Sequence, residues 1–125
     1  MIDSKLTAAK ILIAEDELLI ALDLVEAFEQ EGARVLGPAA SVARAMALID
    51  IDPSIDCGVL DLNLGGELVY PLADALAERD VPFMFTTGYG EDAIPPRFDH
   101  VLRLEKPATG EAAVEMAKRI LAEGN

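Results

Sequence analysis

Cys57-Gly58-Val59-Leu60-Asp61-Leu62-Asn63-Leu64-Gly65-Gly66 is the stretch that decides the fold. From Cys57 to Leu62 it is a short apolar run, broken only by Asp61, as expected of a strand buried on both faces. It stops at a polar, glycine-rich turn. Asp61 therefore falls at the end of the most apolar strand of the chain, near the centre of any sheet that strand joins. A buried carboxylate without a partner costs several kcal/mol or shifts its pKa. The rest of the chain has to supply that partner.

The same punctuation recurs on both sides. Ile11-Leu12-Ile13-Ala14 stops at three acids, Glu15-Asp16-Glu17, and Ala33 to Leu36 is closed by Gly37-Pro38. Val81 to Phe85 ends at Thr86-Thr87-Gly88, and Val101 to Leu104 ends at Glu105-Lys106-Pro107. Helical patterns lie between these runs. Leu18, Leu22, Val25 and Phe28 recur at helical spacing up to Gly32, a natural stop, and read as a core face. Ser41 can cap a helix presenting Val42, Ala45, Met46 and Ile49, ended by Asp52-Pro53. Leu68, Leu72 and Leu76 line the next, with Pro71 tolerable in its first turn. Val114, Ala117 and Leu121 mark a last helix, capped by Thr109. Residues 89–99 have weak periodicity and contain Pro95-Pro96, so only a short helix fits there. Strand and helix alternating five times predict an α/β fold: a doubly wound, five-stranded parallel sheet with right-handed crossovers.

Composition limits the function classes. The 125 residues suit one domain, and 52% hydrophobic content is enough for one core. The net charge of −13 repels phosphate backbones and anionic lipid surfaces, so neither direct nucleic-acid binding nor a membrane partner is expected. The single Cys fits a reducing cytoplasm. No apolar run approaches a membrane span, and the first residues do not read as a signal peptide. No effector domain is expected after about residue 122.

In an open α/β sheet, ligands bind outside the carboxyl ends of the strands. The unusual polar residues sit at that rim. Glu15 and Asp16 follow the first strand, where Asp16 also reads as a helix N-cap. Asp61 follows the third, where capping the next loop is the alternative. Thr87 ends the fourth strand, otherwise an ordinary loop-entry hydroxyl. Lys106 ends the fifth, held extended by Pro107 and otherwise a surface lysine. Three carboxylates and one ammonium leave a charge of −2, which one divalent cation matches. With the charge so balanced, Asp61 can attack phosphorus as a carboxylate nucleophile. Lys106 and the Thr87 hydroxyl can then face the phosphoryl oxygens.

At these residues the sequence resembles the receiver domain of two-component response regulators. The resemblance covers about residues 9–122 and rests on Glu15-Asp16, Asp61, Thr87-Gly88 and Lys106-Pro107, in order and each at a strand end. It implies a flavodoxin-like fold with strand order 2-1-3-4-5. Asp61 becomes the phosphoacceptor, Glu15 and Asp16 the acidic pair, Thr87 the switch hydroxyl and Lys106 the phosphate-binding lysine. Mg²⁺ is held at the acidic pair by Asp16 and Asp61, with the backbone carbonyl of Asn63. The implied partners are a sensor histidine kinase or histidine phosphotransfer protein and a downstream protein target. The chain would then be a stand-alone phosphoacceptor, not an enzyme on outside substrates, although it can promote its own phosphorylation and dephosphorylation. More narrowly, Phe85-Thr86-Thr87-Gly88-Tyr89-Gly90 is similar to the FATGUY motif of a subgroup of single-domain receivers, as is Asp61-Leu62-Asn63-Leu64-Gly65-Gly66-Glu67. Gly65 stands where receivers usually have proline, and Arg103 where they have an aromatic relay. The message is therefore expected to leave through residues 86–98, with Tyr89 repositioned, and few hydrogen bonds are expected to hold that segment.

Rival readings are weaker. A haloacid dehalogenase-type phosphatase needs a second Asp where Asn63 stands. A pseudo-receiver scaffold would not need the whole acid–lysine set. A nucleotide- or flavin-binding domain lacks its glycine-rich loop after the first strand. Cys57 reads as core, His100 as a loop residue, Tyr70 as surface packing, and the acids at 26, 29 and 31 as a solvated face.

Overall fold

The computed structural model describes residues 5–88 and 94–123. Five apolar runs form one parallel sheet: β1 (Lys10–Ala14), β2 (Arg34–Ala39), β3 (Cys57–Asp61), β6 (Phe83–Thr87) and β7 (Arg103–Glu105). The remaining pair, β4 (Asn63–Leu64) and β5 (Glu67–Leu68), is a small antiparallel hairpin outside the sheet. The sheet order is β2-β1-β3-β6-β7, which is the expected 2-1-3-4-5 once the hairpin is set aside. No helix among the described residues is long and apolar enough to cross a membrane.

Alternation along the strands builds two cores. Ile11, Ile13, Val59 and Met84 face one way and pack under α1 (Leu18–Gln30) and α4 (Gly110–Ala122). Leu12, Leu60 and Phe85 face the other way, under α2 (Val42–Ile51) and α3 (Tyr70–Glu78). Two expected caps are present. Ser41 Oγ accepts from the Arg44 N–H at 3.1 Å, and Thr109 Oγ1 from the Ala112 N–H at 3.1 Å.

Four expectations are corrected. Leu18 and Leu22 do not face the core: they are 68% and 51% exposed, and Leu19 is 81% exposed. The buried stripe is Ala21, Leu24 and Phe28. The start of α1 is apolar all round, so spacing alone could not choose its inward face, whereas packing against α4 does. Leu68 belongs to the hairpin, and α3 begins only at Tyr70 with Pro71 in its first turn. β2 runs on through Gly37-Pro38 to Ala39, with a register irregularity opposite β1. An edge strand tolerates proline because its outer side needs no donor. Finally, β7 starts at Arg103, and Val101 lies buried before it.

Candidate functional site

β1, β3, β6 and β7 all end on the same edge of the parallel sheet, and their last residues or the ones that follow converge there. Asp61 closes β3 and is only 2% exposed. Its Oδ2 accepts from Lys106 Nζ at 2.9 Å, and its Oδ1 accepts from the Asn63 N–H at 3.3 Å. Lys106 follows β7 and is held by its backbone, its N–H donating to the Thr87 carbonyl at 2.7 Å. Thr87, the last residue of β6, is buried beside it. The partner that the sequence demanded for Asp61 is thus Lys106.

Glu15 follows β1 and is also 2% exposed. Its Oε2 accepts from the Glu17 N–H at 2.9 Å, while Oε1 is buried without a hydrogen bond, 3.7 Å from Lys106 Nζ. Asp16 does not cap α1. Glu17 occupies the N-cap position, without a side-chain capping bond, and Asp16 stands exposed at the mouth of the cluster. Oxygens of Glu15, Asp16 and Asp61 lie within 4.8 Å of one another.

This crowding shows in the acidities. Burial first, and then repulsion from Asp61, raises the Glu15 carboxyl from 4.5 to about 7, against the pull of the Glu17 N–H and Lys106. Burial likewise raises Asp61, opposed by the Lys106 hydrogen bond and charge. Although partial burial works against it, the Lys106 ammonium is held above its ordinary value by Asp61 and then Glu15. Burial pushes the Cys57 thiol up to about 12, so it is inert core, as expected.

A raised carboxyl pKa makes the metal-free fold lose stability as pH rises. Below 4.5 Glu15 is protonated folded and unfolded alike. Between 4.5 and about 7 only the unfolded chain gives up the proton, and above that the full penalty applies. Glu15→Gln should therefore stabilise the metal-free protein by roughly 3 kcal/mol at pH 8, at about 1.4 kcal/mol per pKa unit, and by almost nothing at pH 4. Urea unfolding in EDTA at both pH values checks this. An equal gain at the two would contradict it.

The acid set fits a hard divalent cation. Three carboxylates, one of them carrying an orphaned buried oxygen, face a single ammonium and form an all-oxygen site with negative charge to spare. Asn63 contributes its backbone beside Asp61, as its N–H contact shows.

Other residues fall differently. Arg103 is exposed on β7, its guanidinium donating to the Val101 carbonyl at 3.5 Å. It does not take the place of a buried relay. Tyr89 lies outside the described residues, as do 90–93. The described remainder of the route, 94–98, is held better than its sequence suggested. Phe98 is buried in a short 3-10 turn, Pro96–Phe98, and Arg97 makes a paired contact with Asp74 on α3 at 2.9 and 3.0 Å. Tyr70 is not mere surface packing. Its ring stacks on Phe98 at 5.7 Å and meets Phe85 edge-on at 6.3 Å. Sequence periodicity missed this aromatic group because its members come from three separate elements.

Similarity to known proteins follows the same geometry. No protein-family model and no curated protein matches the chain. Solved structures do. The solution structure of SdrG from Sphingomonas melonis Fr1 is 38% identical with a TM-score of 0.75, the match covering 95% of this chain and 99% of that one. The BeF3-activated conformation of SdrG from Pseudomonas melonis Fr1 is 40% identical with a TM-score of 0.72, covering 92% of this chain and 97% of that one. The REC domain of the Erythrobacter litoralis PhyR response regulator shares the fold at 23% identity, with a TM-score of 0.74 over 93% of this chain and 92% of that one.

Proposed function

Because this chain belongs to the receiver-domain family of response regulators, we propose that it accepts a phosphoryl group on Asp61 from a histidine kinase or histidine phosphotransfer protein and signals through altered protein binding. The observation that carries this is the buried Asp61 carboxylate, 2.9 Å from Lys106 Nζ and within the acidic cluster.

In this reading an Asp61 oxygen attacks phosphorus, the P–O bond forms and the donor P–N bond breaks, and the nitrogen keeps the electron pair. Lys106 holds the carboxylate in place beforehand, and after transfer its ammonium is free to face a phosphoryl oxygen. The Thr87 hydroxyl is the second donor at that position. Asp16 and Asp61, with Glu15 and the Asn63 carbonyl, would hold Mg²⁺, which supplies charge neutralisation for the incoming phosphoryl oxygens. The exposed Leu18, Leu19 and Leu22 lie in the first turns of α1, just after the acidic Glu15-Asp16-Glu17, and suit the approach of an apolar donor surface.

The finer placement in the FATGUY subgroup is supported by Thr87-Gly88 and by the hairpin. Gly65 turns the hairpin at φ +61°, which a proline cannot adopt, so the usual proline is excluded by backbone geometry. A cytoplasmic location goes with this reading. The test is transfer of labelled phosphate from purified, phosphorylated histidine kinases. Failure to accept label from any of them, together with rapid turnover of a generic phosphomonoester, would favour a phosphatase instead.

Cation binding gives a separate expectation. Millimolar Mg²⁺ should raise the melting temperature of the unphosphorylated protein, since ligand at a hundredfold excess over Kd adds about 2.7 kcal/mol. Asp16→Ala should remove that response. A melt indifferent to Mg²⁺, or an equal response in the variant, would speak against the site.

A further inference from the structure

The end of the sheet opposite Asp61 carries a cleft of about 460 Å³ that the phosphoacceptor site does not use. It opens beside the 3-10 turn Pro96–Phe98, which leads from the β6–β7 connection toward β7. Its wall is apolar: Phe83, Phe98, Val101 and Ile120. Its rim is acidic. Asp74 is matched by Arg97, but Asp80 has no ion pair among the described residues, and Glu123 has only a loose, exposed contact with Arg119 at 3.6 Å. Such exposed pairs hold little energy.

The wall is also continuous with the switch strand. Phe98 meets Phe85 edge-on at 5.6 Å, and Phe85 lies two residues before Thr87 on the same face of β6. The Arg97 guanidinium sits 4.6 Å above the Phe98 ring, so rim and wall are in direct contact.

We propose that this cleft is an output surface that takes an apolar side chain from a partner segment flanked by Lys or Arg. The apolar wall excludes water from the inserted side chain, and Asp80 and Glu123 meet the flanking cations. On a chain of net charge −13 an acidic segment would be repelled. The word output rests on the phosphoacceptor reading above; the occupant's chemistry does not.

The probe is a capped hexapeptide, KRLLRK, titrated into the full chain at 150 mM salt and followed by amide chemical shifts, with EDLLDE as its acidic counterpart. The basic peptide should shift residues 80–83, 98–102 and 120–123, and the acidic one should not. Ala77→Trp places an indole at the mouth from an exposed position on α3. It should weaken binding about tenfold or more, a loss of about 1.4 kcal/mol. Asp80→Asn with Glu123→Gln should weaken it less; Asn suits position 80, whose φ is +58°. Beryllofluoride with Mg²⁺ should change the affinity by about fivefold. Shifts that centre instead on Leu18, Leu19 and Leu22, no binding by KRLLRK, or equal binding by Ala77→Trp would overturn the proposal. Affinity unchanged by beryllofluoride would overturn the output role. Phosphorylation of Ala77→Trp at the wild-type rate keeps these outcomes separate from any failure at Asp61.

Discussion

Asp61→Asn should gain no mass on incubation with acetyl phosphate and Mg²⁺, whereas the wild-type chain gains one phosphoryl group. Asp61 and Glu15 are the buried carboxylates among the described residues, and of the two only Asp61 has an oxygen within hydrogen-bond reach of Lys106. An amide in its place keeps the size and the bond to Asn63 but loses the nucleophilic oxygen. The variant also sheds one of two carboxyls whose pKa burial raises above the ordinary value, so it should fold at least as stably as the wild type above pH 7. Loss of phosphorylation cannot then be put down to unfolding. Intact mass with a parallel melt checks both halves. Mass gain by the variant at the wild-type rate would assign the phosphoacceptor elsewhere.

Gly110→Ala should cost about 3 kcal/mol, although a glycine-to-alanine change in a helix ordinarily helps by up to about 1 kcal/mol. Gly110 opens α4 where it crosses α1. A Cβ there would lie 2.6 Å from Ala27 Cβ and 2.6 Å from the Asp23 carbonyl oxygen, and backbone atoms cannot yield as a flexible side chain can. The same approach lets Asp23 Oδ2 accept from the Gly110 N–H at 2.6 Å, a bond that pins the chain just after Lys106. In a domain with total stability of about 5–15 kcal/mol, that loss should lower the melting temperature by roughly 10 °C. Unfolding in urea and by heat reads it directly. An unchanged or raised midpoint would mean that the two helices can move apart freely.

Both results would bear on what could be read before any coordinates. The sheet was legible because five apolar runs, each punctuated by polar or glycine-rich residues, leave few ways to bury both strand faces. The acid–lysine cluster was legible because a parallel sheet brings all its carboxyl ends to one edge, so Glu15, Asp16, Asp61, Thr87 and Lys106 had to meet. Local chemistry also placed the Ser41 and Thr109 caps. Other features depended on contacts between distant segments. Which face of α1 turns inward was undetermined by an apolar first turn; the close crossing at Gly110 chose Ala21, Leu24 and Phe28 and left Leu18, Leu19 and Leu22 exposed. The β4–β5 hairpin needed Gly65 and Gly66 at positive φ, a backbone choice that glycine permits but does not announce. The aromatic group of Tyr70, Phe85 and Phe98, which holds the turn before β7 and reaches the cleft through Phe98, joins α3, β6 and that turn. Residue types and spacing determined the sheet and its charged edge, since burial of each strand is a local demand. Helix rotation, the hairpin and the aromatic cluster were decided only by tertiary packing, since there each residue's environment is made by segments far away in the chain.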